Sequence, residues 1–129
     1  MSPLYEVTQI RQVPGEMQRR WFTCESMDLV VWLGKDRKPT AFQLCYNKGR
    51  DERALTWRPY SGMTHSRVDD GEPGGMRYKS TPLLGPEPAL PLATLMHSFA
   101  QMAQDIPPDV AEFVLLRLRE MRSPALNRL

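Results

Sequence analysis

Five runs of strand-forming residues, 18–24, 27–33, 40–46, 53–58 and 63–69, succeed one another with only a few turn residues between each pair. Parallel neighbours need a crossover of a dozen residues or more, so connections this short force antiparallel pairing. The turn chemistry agrees. Residues 34–38 form a charged loop closed by Pro39, Gly49 sits within 47–51, and Pro59 and Gly62 bracket the next reversal. The spacing predicts an antiparallel meander over residues 17–70.

The second run is the most apolar. Side chains alternate along a strand, which puts Leu29, Val31 and Leu33 on one face and Val30 and Trp32 on the other. Apolar residues on both sides mark a central strand covered twice. Leaving a side chain such as Trp32 in water would forgo about 1.5–3 kcal/mol. Three covers are available: the sheet curls around its own core, segment 71–91 lies over it, or a second subunit does. Two-fold pairs are the commonest closed assembly, so a homodimer is expected. Upstream, residues 5–13 read as an edge strand or a loose arm.

Nine of the twenty-one residues in 71–91 are Gly or Pro, which rules out a regular helix and leaves room for a short strand at 76–81. A connection this long is usually a functional loop or a cover over core. Pro91 then suits the first position of a helix in which Leu92, Leu95, Met96, Phe99, Met102 and Ala103 recur at helical spacing. Ile106 precedes Pro107 and stops that helix, while Pro107 and Pro108 open a second reaching to about residue 122. Its stripe is Val110, Phe113, Val114, Leu118 and Met121. Asp109 and Glu112 at its start and Arg117, Arg119 and Arg122 toward its end complement the helix dipole. The expected fold is α+β. A five or six stranded, twisted antiparallel meander is followed by a C-terminal helical hairpin (91–122) packed on the sheet, all within one domain of residues 1–129.

At 129 residues the chain can bury an ordinary hydrophobic core without staples. Its apolar runs, such as 29–33 and 113–116, fall far short of the roughly 20 residues needed to cross a bilayer. The first seventeen residues carry Glu6, Arg11 and Glu16 and no apolar block of the secretory kind. Cys24 and Cys45 are the only cysteines, which suits a reduced, cytoplasmic setting better than a disulfide framework. A formal charge of +2 is too small to imply nucleic acid or an anionic membrane. Arg19, Arg20, Lys35, Arg37, Lys38, Lys48, Arg50 and Arg53 fall mainly at turns and strand ends, where basic residues keep sheet edges soluble.

The stretches Arg19-Arg20-Trp21-Phe22, Phe42-Gln43-Leu44-Cys45-Tyr46 with Lys48-Gly49, Glu52-Arg53-Ala54-Leu55-Thr56-Trp57 and His65-Ser66-Arg67-Val68-Asp69-Asp70-Gly71 resemble a small family of uncharacterised bacterial proteins, a domain of unknown function. The resemblance extends through Tyr78-Lys79-Ser80-Thr81-Pro82 and more loosely to Pro107-Pro108, most of the chain. It implies a bacterial source and a shared fold, and carries no catalytic residue across.

No glycine-rich phosphate loop, paired CxxC, HExxH or GxSxG occurs. The informative segment is the last strand of the ladder, where His65, Arg67 and Asp69 alternate and project from one face. At about 3.3 Å per residue His65 and Asp69 lie roughly 13 Å apart, too far to share a metal through bonds of about 2 Å. Two readings of this row remain open: a solvated sheet face with cross-strand ion pairs, or a ligand-facing patch joined by Arg58, Tyr78 and Lys79. Arg, His, Lys and Tyr together supply donors suited to an anionic ligand. Asp70 has a turn to make with Gly71. Cys45 reads as a buried, inert thiol rather than a nucleophile served by His65, and His97 as a surface residue of its helix. Trp21, Trp32 and Trp57 read as core or interface aromatics.

The expected function is therefore a non-catalytic binding or interaction module, a homodimer with a small anionic ligand or a protein partner, without metal, cofactor, membrane or nucleic acid. The alternative is a small enzyme using His65 as acid/base, with Arg58 or Arg67 holding an anionic substrate.

Overall fold

The computed structural model describes residues 2–69, 77–82 and 92–121. Seven strands run β1 (Tyr5–Val7), β2 (Gln18–Thr23), β3 (Met27–Leu33), β4 (Pro39–Tyr46), β5 (Arg53–Arg58), β6 (Gly62–Asp69) and β7 (Arg77–Pro82). They form one sheet in sequence order, every pair antiparallel. Helices α1 (Leu92–Met102) and α2 (Pro108–Glu120) follow as a hairpin. This is the α+β meander with a C-terminal helical pair that turn spacing required.

The strand count exceeds the five or six expected because both marginal segments pair. Residues 5–7 join β2, and the chain leaves the sheet near Gln9, whose φ of 60° breaks the extended run. The segment expected to make a short strand at 76–81 supplies β7, shifted one residue along. The rest of the Gly/Pro-rich connection, residues 70–76 and 83–91, lies outside the described residues, as do Pro91 and Arg122.

Register sets what each face carries. Across β2 to β7 the paired residues Phe22, Leu29, Leu44, Leu55, His65 and Thr81 form one row on the inner face. Beside it runs Arg20, Val31, Phe42, Trp57 and Met63. The helices bury this block with Leu95, Phe99, Val110, Val114 and Leu118, the stripes read from their periodicity. Phe113 meets Phe42 and Trp57 edge-on at 6.1 and 5.7 Å, and the Arg117 guanidinium lies 4.3 Å from the Trp57 ring centre. The backbone of Leu4 donates to the Met102 carbonyl at 2.8 Å, tying the start of the chain to the end of α1.

The outer face mixes apolar and polar side chains. Val30 and Trp32 of β3 are half-buried there; across β4 they face Gln43 and Ala41, while across β2 Val30 pairs with Trp21 and Trp32 with Arg19. Gln43 donates to Thr56 at 3.0 Å, Cys45 packs on Ala54, and Asp28 accepts from Thr23 and from the Lys48 ammonium. Arg58 lays its guanidinium 4.9 Å from the Trp32 ring centre. Residues 7–11 stand over Trp21 and Val30, bounding a groove of about 490 Å³. Gln12 pins this arm. Its amide donates to the Arg19 carbonyl and accepts from the Arg19 N–H at 3.0 and 2.9 Å, completing β2 where β1 has ended. Trp21 keeps 38% of its surface exposed. Cys24 belongs to the inner core and Cys45 to the outer face; both are buried, and no disulfide joins them.

Candidate site at the cationic end of the inner sheet face

Beside the apolar block runs a third inner row: Tyr46, Arg53, Arg67 and Lys79, each directly paired with the next across β4 to β7. Like charges directly opposite one another destabilise a sheet. Here Arg53 and Arg67 are paired directly, with Lys79 next in register. Among the described residues the carboxylate that reaches Arg53 and Arg67 is Asp51, whose Oδ2 accepts from Arg53 at 2.9 Å and whose Oδ1 lies 3.9 Å from Arg67 Nε. The Arg53 hydrogen bond and the two nearby guanidinium charges hold the Asp51 carboxyl below its ordinary range. In the adjoining row Asp69 pairs with Arg77.

The floor behind these cations is His65. It is 5% exposed, stacks nearly parallel to Tyr46, and shares a 2.7 Å hydrogen bond between its Nε2 and the Tyr46 hydroxyl. Burial pushes the Tyr46 phenol up to about 12, so the neutral hydroxyl persists through all ordinary conditions. At 5% exposure the His65 ring has little access to solvent, and Tyr46 supplies a partner for Nε2.

The loop between β4 and β5 shapes the edge of the site. Asn47, Gly49 and Asp51 all have positive φ, at 59°, 80° and 47°. Asn and Asp tolerate this region best among residues with a Cβ, and glycine adopts it freely. The loop is anchored by Lys48, whose ammonium donates to the Cys24 carbonyl at 2.9 Å and to Asp28 at 3.1 Å. Lys48 is thus a structural pin rather than a solvated turn residue.

The expected site residues divide by face. His65, Arg67 and Asp69 do share the inner face, with Lys79 next to Arg67 in register. His65 is buried, so the three do not form an evenly solvated row. Arg67 is exposed, with 64% of its side-chain surface in water. Arg58 and Tyr78 do not join them: Arg58 pairs with Gly62 and Tyr78 with Val68, one residue out of phase, which puts both on the outer face. Tyr46, Arg50, Asp51 and Arg53 were missed. The signal for Arg53 lay in the turn. Once Arg58 pairs with Gly62, counting five residues back and five forward brings Arg53 opposite Arg67.

Among the described residues no group of three or more His, Cys, Asp or Glu side chains converges as metal ligands, and no helix is long and apolar enough to cross a membrane. Comparisons with protein-family models, curated proteins and solved structures return no match.

Proposed function

We propose that this chain is a bacterial, cytoplasmic, non-catalytic module that binds a small anionic ligand on the cationic end of its inner sheet face. The observation that carries this reading is the direct pairing of Arg53 with Arg67, two like charges on facing strands that share the single carboxylate of Asp51 and so leave net positive charge for an anion. Guanidinium groups suit such a ligand because their planar forks match carboxylate and phosphate oxygens. Two observations favour binding over the alternative of an enzyme using His65 as acid/base. The Nε2 of His65 is engaged with Tyr46, and Arg58, one of the two arginines expected to hold a substrate, lies on the other face. Two buried cysteines on opposite faces of the sheet, not joined by a disulfide, suit a reducing compartment.

The module is further proposed to act as a homodimer, or with a protein partner, through the outer face beside β1. There Tyr5 and Trp21 are exposed next to the groove under residues 7–11. Light scattering at micromolar concentration tests the dimer, and a monomer refutes it.

Binding is tested by titrating inorganic phosphate into the protein at low ionic strength and following calorimetric heat. Arg67→Ala is expected to weaken binding at least about tenfold, the loss of one charge-assisted contact. Arg58→Ala, on the far face, is expected to leave it unchanged. Equal loss in both variants, or none in either, overturns the reading.

A further inference from the structure

A cleft of about 660 Å³ opens beside the cationic row, within the size range of small-molecule sites. One wall is the left-handed loop, contributing Asn47, Arg50 and Asp51; Tyr46 lies at its inner end. The opposite wall is α1, which turns Thr94, Ser98 and Gln101 toward it at successive helical turns. Met27, Leu95 and Met102 add apolar surface.

Three features give this cleft a chemistry. Asp51 belongs to both structures, since it lines the cleft and also holds Arg53 and Arg67. Arg50 lines it with a guanidinium that has no side-chain partner among the described residues. The helix wall offers two hydroxyls and an amide, groups that both donate and accept and therefore pair with neutral hydroxyls rather than with further charge. Counting the described side chains, Arg50, Arg53 and Arg67 stand against Asp51, an excess of two positive charges that suits a dianion better than a monoanion.

We propose that the cleft seats the hydroxylated body of a small organic phosphate, its phosphate on Arg53, Arg67 and Arg50 and its hydroxyls against Thr94, Ser98 and Gln101. This rests on the anion-binding reading above and names the ligand class for that site. Asp51 is then a resident carboxylate that the phosphate displaces from the arginines. A bound phosphate meets Asp51 as a like charge, so Asp51 limits affinity and tunes it.

The test uses three probes in calorimetric titrations of the full chain: inorganic phosphate, ribose 5-phosphate and ribose. Ribose 5-phosphate is expected to bind about tenfold more tightly than phosphate, the contribution of one or two added hydrogen bonds, and ribose alone not to bind. Ser98→Phe fills the cleft and is expected to bring ribose 5-phosphate down to the affinity of phosphate, leaving phosphate itself unchanged. Thr94→Trp, at an exposed helix position, is a second block should Ser98→Phe disturb folding. Asp51→Asn keeps a residue that accepts positive φ and is expected to tighten both phosphates severalfold.

If ribose 5-phosphate binds no better than phosphate, or ignores both blocking variants, the cleft proposal fails while phosphate binding sensitive to Arg67→Ala leaves the anion reading standing. If phosphate binding ignores Arg67→Ala, or does not occur, both fall. Weaker binding in Asp51→Asn overturns the displaced-carboxylate role.

Discussion

Replacing Tyr46 by Phe tests the least expected contact in the molecule. The ring stays, so its stacking on His65 and its place beside Met27 and Arg53 are kept, and only the hydroxyl 2.7 Å from His65 Nε2 is lost. Both residues are 5% exposed, so water does not readily replace the missing partner. Leaving a buried polar group without its bond costs about 1–3 kcal/mol. With a urea slope of about 2 kcal/mol per molar, a loss of about 2 kcal/mol lowers the midpoint by roughly 1 M. The pH dependence supplies an independent check. The Tyr46 phenol is raised from 10.0 to about 12 in the fold, chiefly by burial. Its contribution is fully present below the unfolded value and is lost as pH rises from about 10 through about 12, because the unfolded chain ionises first. Tyr46→Phe has no such group, so the stability gap between wild type and variant narrows across that window. The other tyrosines are common to both proteins and cancel in the difference. Urea unfolding at pH 8 and at steps up to 12 measures both effects. A variant as stable as wild type at pH 8, or a gap that stays constant to pH 12, refutes the buried pair.

Arg117→Ala is expected to lose about 1–2 kcal/mol in thermal unfolding, since its guanidinium lies over both Trp57 and Phe113 and its Nε is buried without a hydrogen-bond partner among the described residues. Arg117→Lys should recover little, because an ammonium does not stack as a planar group does; full rescue would show that charge alone matters. Glu6 takes two hydrogen bonds from Arg20 at 2.8 and 2.6 Å, and the Arg20 bond holds its carboxyl below the ordinary 4.5. With both groups about one-third exposed, Glu6→Gln is expected to cost only about 0.5 kcal/mol after solvent screening. That difference is present above pH 4.5 and disappears as pH falls through the lowered folded value; a difference that persists in acid, or survives 1 M salt, argues against an ionic origin.

The helices were legible because each needed only its own periodicity. Phe99 and Leu95 on α1, and Val110, Val114 and Leu118 on α2, are buried as their spacing required. The central strands were legible for a similar reason: short turns leave antiparallel pairing as the only geometry. The site was legible only in part. Alternation along β6 correctly put His65, Arg67 and Asp69 on one face, yet it could not say that this face is the helix-covered one, so a buried histidine looked like a solvated one. Arg58 and Tyr78 were joined to the patch on the expectation that their strands flank β6; the strands do, but a shift of one residue in phase moves a side chain across the whole sheet.

By itself, then, the sequence determined everything that depends on local spacing: the antiparallel meander, the apolar stripes of both helices, and the alternation of β6. Only the tertiary structure decided which residues become neighbours across strands. It brought Arg53, Arg67 and Lys79 into one row, set Tyr46 against His65, and turned Arg58 onto Trp32 on the far side. The physical reason is that register is a non-local quantity. It is fixed by the closure of several turns together and by which face the helices bury, and no single stretch of chain carries that information.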